Sequence, residues 1–206
     1  MPIGILAMQG AVQPHQAKFK ALGVEAITVR TEEEMRRCAG MILPGGESTT
    51  MLKLLQEYGL WEPLRWFGQQ KPLWGICAGS ILMAARVENP TQDSLGLVPM
   101  TVLRNAYGRQ NESFITTVDL RLPGAPVQRQ EAVFIRAPRI QDPGPGAEVL
   151  ASHEGDPVVV RHGRHLITTF HPELTAEARL HSYFAALCMQ EGGGLIRSTE
   201  KTASSH

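Results

Sequence analysis

The chain has 206 residues, enough for one sizeable domain around a single core. Its 20 basic and 20 acidic side chains cancel, which argues against a polyanion or a membrane surface as partner and makes nucleic acid a poor candidate. The longest apolar stretches, such as 40–44 and 81–85, fall far short of a bilayer span, and the segment 1–9 lacks the basic start and cleavage site of a signal peptide.

Up to residue 87 the pattern alternates strand and helix, which predicts a parallel sheet covered by helices. Residues 3–8 read as a buried first strand, 14–22 as a helix closed by Gly23, and 25–30 as a second strand. Thr31 and Glu34 form a T-x-x-E capping box for a short acidic helix ending near Arg37. Residues 40–43 give a third strand, broken by Pro44-Gly45-Gly46. Ser48 is the expected cap of the next helix, whose Met51, Leu52, Leu54, Leu55 and Tyr58 recur at helical spacing. Residues 72–76 form a fourth strand, leading into a turn at Cys77 and another helix.

Beyond Glu88 shorter apolar runs are separated by Pro and Gly. Segments 97–103, 113–122, 131–135, 149–150, 157–160 and 166–170 are expected to extend the sheet and add antiparallel hairpins. Asp142-Pro143-Gly144-Pro145-Gly146 reads as a surface turn. A last helix over about 176–190 carries Leu180, Tyr183, Phe184 and Leu187 on one face, and the polar tail 191–206 is expected to be disordered. The fold class expected is α/β: three layers, a mostly parallel central sheet with helices on both faces, flavodoxin-like, forming a single domain over 1–190.

Cys38, Cys77 and Cys188 stand at irregular spacings that suit neither a disulfide framework nor a zinc cluster, so the cytoplasm is the expected compartment. Cys38 and Cys188 belong to packing patterns. Cys77 is different, because Gly75-Ile76-Cys77-Ala78-Gly79 joins an apolar strand to a helix-like run. Glycines on either side allow a sharp turn that lifts the thiol out of the sheet and over a helix N-terminus, whose N–H groups favour the attacking thiolate. The same spacing also suits a small core cysteine.

Phe170-His171-Pro172-Glu173 ends the last strand run. Pro172 keeps His171 extended, and residues two apart on an extended segment point the same way, so His171 and Glu173 can cooperate. An imidazole so placed takes a thiol proton and returns it to a leaving amine, while a carboxylate orients the ring. A third signal is Leu43-Pro44-Gly45-Gly46-Glu47-Ser48-Thr49-Thr50, where glycines at a strand end let backbone N–H groups approach an anion or oxyanion. It lacks the Lys-Ser/Thr ending of a phosphate loop, and a tight turn capped by Ser48 is compatible with the same residues. His153, His162, His165 and His181 show no pattern beyond exposed or strand-flanking positions.

In order and spacing these motifs resemble the class I glutamine amidotransferase family. Ala7-Met8-Gln9-Gly10-Ala11-Val12, the 43–50 segment, Arg104-Asn105-Ala106-Tyr107-Gly108-Arg109-Gln110, Phe134-Ile135-Arg136-Ala137-Pro138 and Phe170-His171-Pro172-Glu173-Leu174-Thr175 narrow the resemblance to its branch of glutaminase subunits of pyridoxal 5′-phosphate synthases. It runs from about residue 3 to 189. The resemblance implies hydrolysis of L-glutamine to glutamate and ammonia through a thioester on Cys77, with His171 as acid and base and Glu173 as its orienter. It implies an oxyanion hole from the N–H groups of Gly46 and Ala78, and substrate contacts from Gly46, Glu47, Ser48, Arg104, Ile135 and Arg136. Gln9 and Gly10 fall in a loop that responds to a partner. That partner would be the synthase subunit, with twelve glutaminase subunits around a dodecameric core, and pyridoxal 5′-phosphate would be the product of the complex and no cofactor of this chain. No metal is implied.

Within that branch Ile76 stands where Thr is commoner, Ser80 where Leu is commoner, and Pro14 where a charged residue is commoner. A glutaminase of another pathway would share the triad but not the arginine motifs. A γ-glutamyl hydrolase or Cys-His-Glu peptidase, or a non-catalytic interaction subunit, are the remaining alternatives, and the intact Cys77, His171 and Glu173 count against the last.

Overall fold

A computed structural model describes residues 1–106 and 113–192, the side chains of 191 and 192 excepted. Its centre is a seven-stranded sheet built from β1 (Ile3–Leu6), β2 (Ala26–Val29), β3 (Gly40–Leu43), β4 (Leu73–Ile76), β10 (Ala147–His153), β11 (Asp156–His162) and β12 (His165–Thr168). The order is β10-β11-β12-β4-β3-β1-β2. From β12 to β2 every pairing is parallel, while β10, β11 and β12 pair antiparallel. The expected α/β architecture is thus present.

Two core clusters lie on opposite faces of this sheet. Alternation along each strand feeds both: Leu6, Met41 and Leu43 point into one cluster, and Ile5, Ile42, Trp74 and Ile76 into the other. Burying each large side chain contributes about 1.5–3 kcal/mol, so strands apolar on both faces belong in the middle of a covered sheet. The first cluster is roofed by α2 (Glu32–Arg36), α3 (Ser48–Glu57), α4 (Trp61–Gln70) and α5 (Ala78–Met83), through Met35, Met51, Leu55, Leu64, Phe67 and Leu82. The second takes α1 (Gln13–Ala21) and α6 (Arg179–Gly192), through Phe19, Leu180, Phe184 and Leu187. Thr31 and Glu34 close the capping box on α2 as the sequence predicts.

Several expectations need correction. The strands after Glu88 do not all extend the central sheet. Instead β6 (Val98–Leu103) joins two strands that the sequence does not signal, β5 (Ala84–Glu88) and β9 (Arg139–Asp142), in a separate small sheet, while β7 (Ser113–Leu120) and β8 (Gln128–Ile135) form an antiparallel hairpin of the expected kind. Ser48 does not cap α3: Glu47 does, its carboxylate accepting from the N–H groups of Thr49 and Thr50. The last helix starts at Arg179 and its backbone reaches Gly192, so the expected tail begins inside its final turn. Residues 193–206 of that tail, and 107–112 of the Arg104–Gln110 motif, lie outside the described residues.

Candidate active site

Four loops meet where β1, β3, β4 and β12 end. Because β2 and β3 lie on opposite sides of β1, the chain reverses direction across the sheet there, and a crevice opens at the carboxyl ends of the strands.

Cys77 follows β4 with φ 48° and ψ −104°, a backbone region that L-residues rarely occupy. Its N–H donates to the Thr168 carbonyl at 2.9 Å, tying the turn to the end of β12. The flanking glycines are sterically required. A Cβ on Gly79 would stand 1.9 Å from the Leu43 carbonyl oxygen, and one on Gly75 would meet the Gly79 backbone at 2.8 Å. The elbow therefore packs directly on β3, and the sharp strand-to-helix turn that the Gly-x-Cys-x-Gly spacing predicts is present. The thiol faces the Ile135 carbonyl at 3.8 Å, at the end of the β7–β8 hairpin.

His171 is held from the same hairpin, its N–H donating to the Val133 carbonyl at 2.8 Å. Its Nδ1 lies 2.8 Å from Oε1 of Glu173. The expected pairing is present, though by a different local geometry: Glu173 sits in a 3₁₀ turn, Pro172–Leu174, and not on an extended segment. Burial pushes the His171 imidazole pKa down, but bonds to the Cys77 thiol and the Glu173 carboxylate outweigh it and raise the net value well above 6.5. Burial pushes the Glu173 carboxyl up, while the His171 bond and the neighbouring His15 and His171 imidazoles draw it below the usual range.

A cavity of about 290 Å³ opens in front of the thiol. Gln9, Gly46, Glu47, Ser48, Cys77, Ala78, Arg104, Ile135, Arg136 and His171 all line it, so most of the predicted site residues are brought together. Glu173 stands behind His171, out of the cavity, and Gly10 lines a neighbouring hollow with Gln9. Asn105, Ile81 and Pro138 line the cavity as well and carry no signal of their own beyond the motifs around them. Among the described residues, three of the five non-glycines with positive φ, Cys77, Asn105 and Arg136, are at this cavity, which concentrates backbone strain at the site.

Among the described residues that line the cavity, Glu47 is the one carboxylate, and it is heavily bonded. It accepts from the backbone N–H of Thr50 at 2.8 Å, the Thr50 hydroxyl at 2.9 Å and the Thr49 N–H at 3.3 Å, and the Thr49 hydroxyl is also a donor. Arg104 approaches it at 3.5 Å. Partial burial raises its pKa, but these bonds prevail and hold it at about 2. The Glu47 N–H donates in turn to Oε1 of Gln9 at 2.9 Å, which couples the first-strand loop to the Gly-Gly turn. Ser48 donates its hydroxyl to Oε1 of Gln92 at 2.8 Å, a partner the sequence does not advertise.

Behind the site His181 departs from its expected exposed or strand-flanking place, and His15, for which the sequence carries no expectation, lies beside it. His181 is fully buried, as is His15, and His15 Nδ1 faces His181 Nε2 at 2.9 Å. His181, Phe184 and Cys188 share one apolar face at helical spacing, a signal that could have placed this imidazole in the core. Cys38 and Cys188 are buried thiols whose pKa values burial pushes up to about 11 and about 12, as suits packing residues. Among the described residues no three His, Cys, Asp or Glu side chains converge as a metal site.

The chain is 47% identical over 194 residues to a pyridoxal 5′-phosphate synthase subunit PdxT of Koribacter versatilis, covering 94% of this chain and 99% of the relative. It is 50% identical over 186 residues to a protein of the same name from Solibacter usitatus, covering 88% and 96%. A crystal structure of a glutamine amidotransferase superposes with a TM-score of 0.84 at 42% identity, covering 92% of this chain and all of that one. The model of the SNO glutamine amidotransferase family matches residues 5–190. The chain belongs to the SNO glutamine amidotransferase family.

Proposed function

We propose that this chain is the glutaminase of a pyridoxal 5′-phosphate synthase: it hydrolyses the side-chain amide of L-glutamine and supplies the ammonia to a synthase subunit. Family membership and the shared name of relatives that match nearly end to end support that assignment. The observation that carries the chemistry is the meeting of Cys77, His171 and Glu173, with Glu173 bonded to the far nitrogen of a ring whose other side faces the thiol and the cavity.

In this reading the proton that Cys77 gives up already rests on His171, whose raised pKa favours the imidazolium, when the sulfur attacks the amide carbon. The tetrahedral oxyanion is received by the N–H groups of Gly46 and Ala78, each donor contributing roughly 10²–10³ in rate. His171 then protonates the departing nitrogen, which leaves as ammonia, and a γ-glutamyl thioester remains on Cys77. Water, deprotonated by the same imidazole, releases glutamate and restores the thiol. Glu173 keeps Nδ1 protonated toward itself and stabilises the imidazolium without accepting its proton.

The substrate's charged end is assigned to the far side of the cavity. Arg104 and Arg136 serve the α-carboxylate, directly or through their loops, and the Glu47 carboxylate, anionic throughout the working pH range, faces the α-ammonium. Because the Ser48 hydroxyl is engaged by Gln92, its offering is a first-turn backbone N–H. Ile135 contributes its carbonyl, already turned to the thiol. Gln9 and Gly10 form the partner-responsive loop, and the Gln9 bond to Glu47 is the route by which docking reaches the site.

The synthase partner is assigned a dodecameric core carrying twelve copies of this chain. The reading gives this chain no cofactor of its own and treats pyridoxal 5′-phosphate as the product of the complex. Its compartment is the cytoplasm, which three unpaired thiols suit, and no described helix is long and apolar enough to cross a membrane. Glutamine hydrolysis measured with and without the cognate synthase tests the assignment. Activity should rise on addition of the folded synthase; no response would favour a glutaminase of another pathway.

A further inference from the structure

Glu173 has two carboxylate oxygens, and the triad uses only Oε1. The second, Oε2, is buried without a hydrogen-bond partner, and Nε2 of His15 lies 3.7 Å from it. His15 is fully buried on α1, and beyond it His181 of α6 closes the line, Nδ1 to Nε2 at 2.9 Å. Trp74 packs edge-on against both rings, and Phe19 against His181, so the pair is flanked by aromatic side chains.

Two neutral imidazoles 2.9 Å apart can share only one proton, which leaves two arrangements. If His15 donates from Nδ1, its Nε2 carries a lone pair aimed at the lone pairs of Glu173 Oε2. If His181 donates from Nε2 instead, His15 accepts at Nδ1 and presents Nε2–H to the carboxylate. Only the second turns a donor toward the buried anion, and it also leaves His181 Nδ1, which has no hydrogen-bond partner, as a lone pair rather than a stranded donor. Burial lowers the pKa of both imidazoles, which favours neutral rings over an imidazolium donor.

Resting on the triad reading above, we infer that His15 is a positioning residue of the glutaminase reaction: held in its Nε2–H tautomer by His181, it fixes Glu173 from behind so that Oε1 stays on His171. At 3.7 Å the contact is a charge–dipole one, beyond hydrogen-bond length, and of the kind that shortens when a site tightens on its substrate. The line then runs Cys77, His171, Glu173, His15, His181, linking the nucleophile to α1 and α6. Glutamine never touches the last two residues, so their effect falls on turnover.

Two measurements test this. In the parent protein, ring ¹⁵N shifts of His15 should report the neutral Nε2–H tautomer at pH 7; an Nδ1–H tautomer or an imidazolium would overturn the inference, whatever the enzyme's activity. Steady-state kinetics with the synthase present then compare His15→Gln, whose amide N–H reaches the place of Nε2, with His15→Asn, which is one carbon shorter. The expected result is kcat within about threefold of the parent for the glutamine variant and about tenfold or more lower for the asparagine variant, with KM within about twofold in both. Equal kcat in the two variants would overturn it, since loss would then follow packing and not the donor. Cys77→Ala in the same assay separates this outcome from a failure of the triad reading, because that variant retains activity only if the triad itself is wrong.

Discussion

Gly45 and His171 share a space that admits no Cβ: a methyl on Gly45 would stand 2.3 Å from Cε1 of the imidazole. The first glycine of the Pro-Gly-Gly turn thus serves the histidine from the other end of the chain, and the glycine that follows is the one that lines the cavity. Since Gly45 does not require a positive φ, its substitution is expected to act through the ring and not through the backbone.

Gly45→Ala should therefore displace His171 and lower kcat by about 10²-fold, the scale of a misplacement of about 1 Å, while the protein remains folded. Thermal unfolding and glutamine turnover of the same preparation check this, with a small shift in midpoint expected beside the large loss of rate.

The exchange of caps on α3 yields a prediction with two arms. Glu47→Ala removes the acceptor of the first-turn N–H groups and should cost about 1 kcal/mol of stability, together with a higher KM for glutamine. Ser48→Ala leaves that cap in place and loses only the bond to Gln92, so its unfolding midpoint should drop less than that of Glu47→Ala. Denaturant unfolding of the two variants side by side measures the difference.

Much of this site is legible in the sequence because each signal is a local steric or chemical demand. The glycines around Cys77 and the turn at Gly45-Gly46 are places where backbones or rings touch, and His171-Pro172-Glu173 brings two partners within reach by covalent spacing alone. The cap of α3 is harder to read. Glu and Ser adjoin, either can accept from the first turn, and the choice rests on Gln92, 44 positions away in the chain. Helix α4 escapes the sequence for a related reason: Leu60 caps it without any side-chain bond, and Pro63 and Gly68 within it read as breakers. Strand β5 escapes because the chain passes from α5 into it at Ala84 with no glycine or proline between them. The His15–His181 contact spans 166 positions, and only the packing of α1 against α6 creates it.

Buried histidines set the acid limb of stability. Burial lowers His15 and His165 from 6.5 to about 4, with Glu173 partly opposing the fall at His15, and lowers His181 to about 2. Below pH 6.5 the unfolded chain takes up protons that the folded chain refuses, so stability contributed by these groups is present above 6.5 and is lost as pH falls toward 4. Each imidazole adds a slope of about 1.4 kcal/mol per pH unit where only the unfolded state is protonated. His171 has the opposite sign. Its raised pKa contributes fully below 6.5 and is lost as pH rises toward about 10. The unfolding midpoint should thus peak near neutrality and fall on both sides. His165→Asn should make the acid side shallower, a change that thermal scans from pH 4.5 to 7 resolve.

The central claim is that Cys77 is the nucleophile that opens the glutamine amide. Ammonia release from L-glutamine, followed in the presence of the cognate synthase for the parent and for Cys77→Ala, tests it most directly, with acid-quenched samples searched by mass spectrometry for a glutamyl adduct on the Cys77 peptide. The parent should release ammonia and show the adduct, and the alanine variant should show neither. Equal ammonia release by the two proteins would contradict the claim.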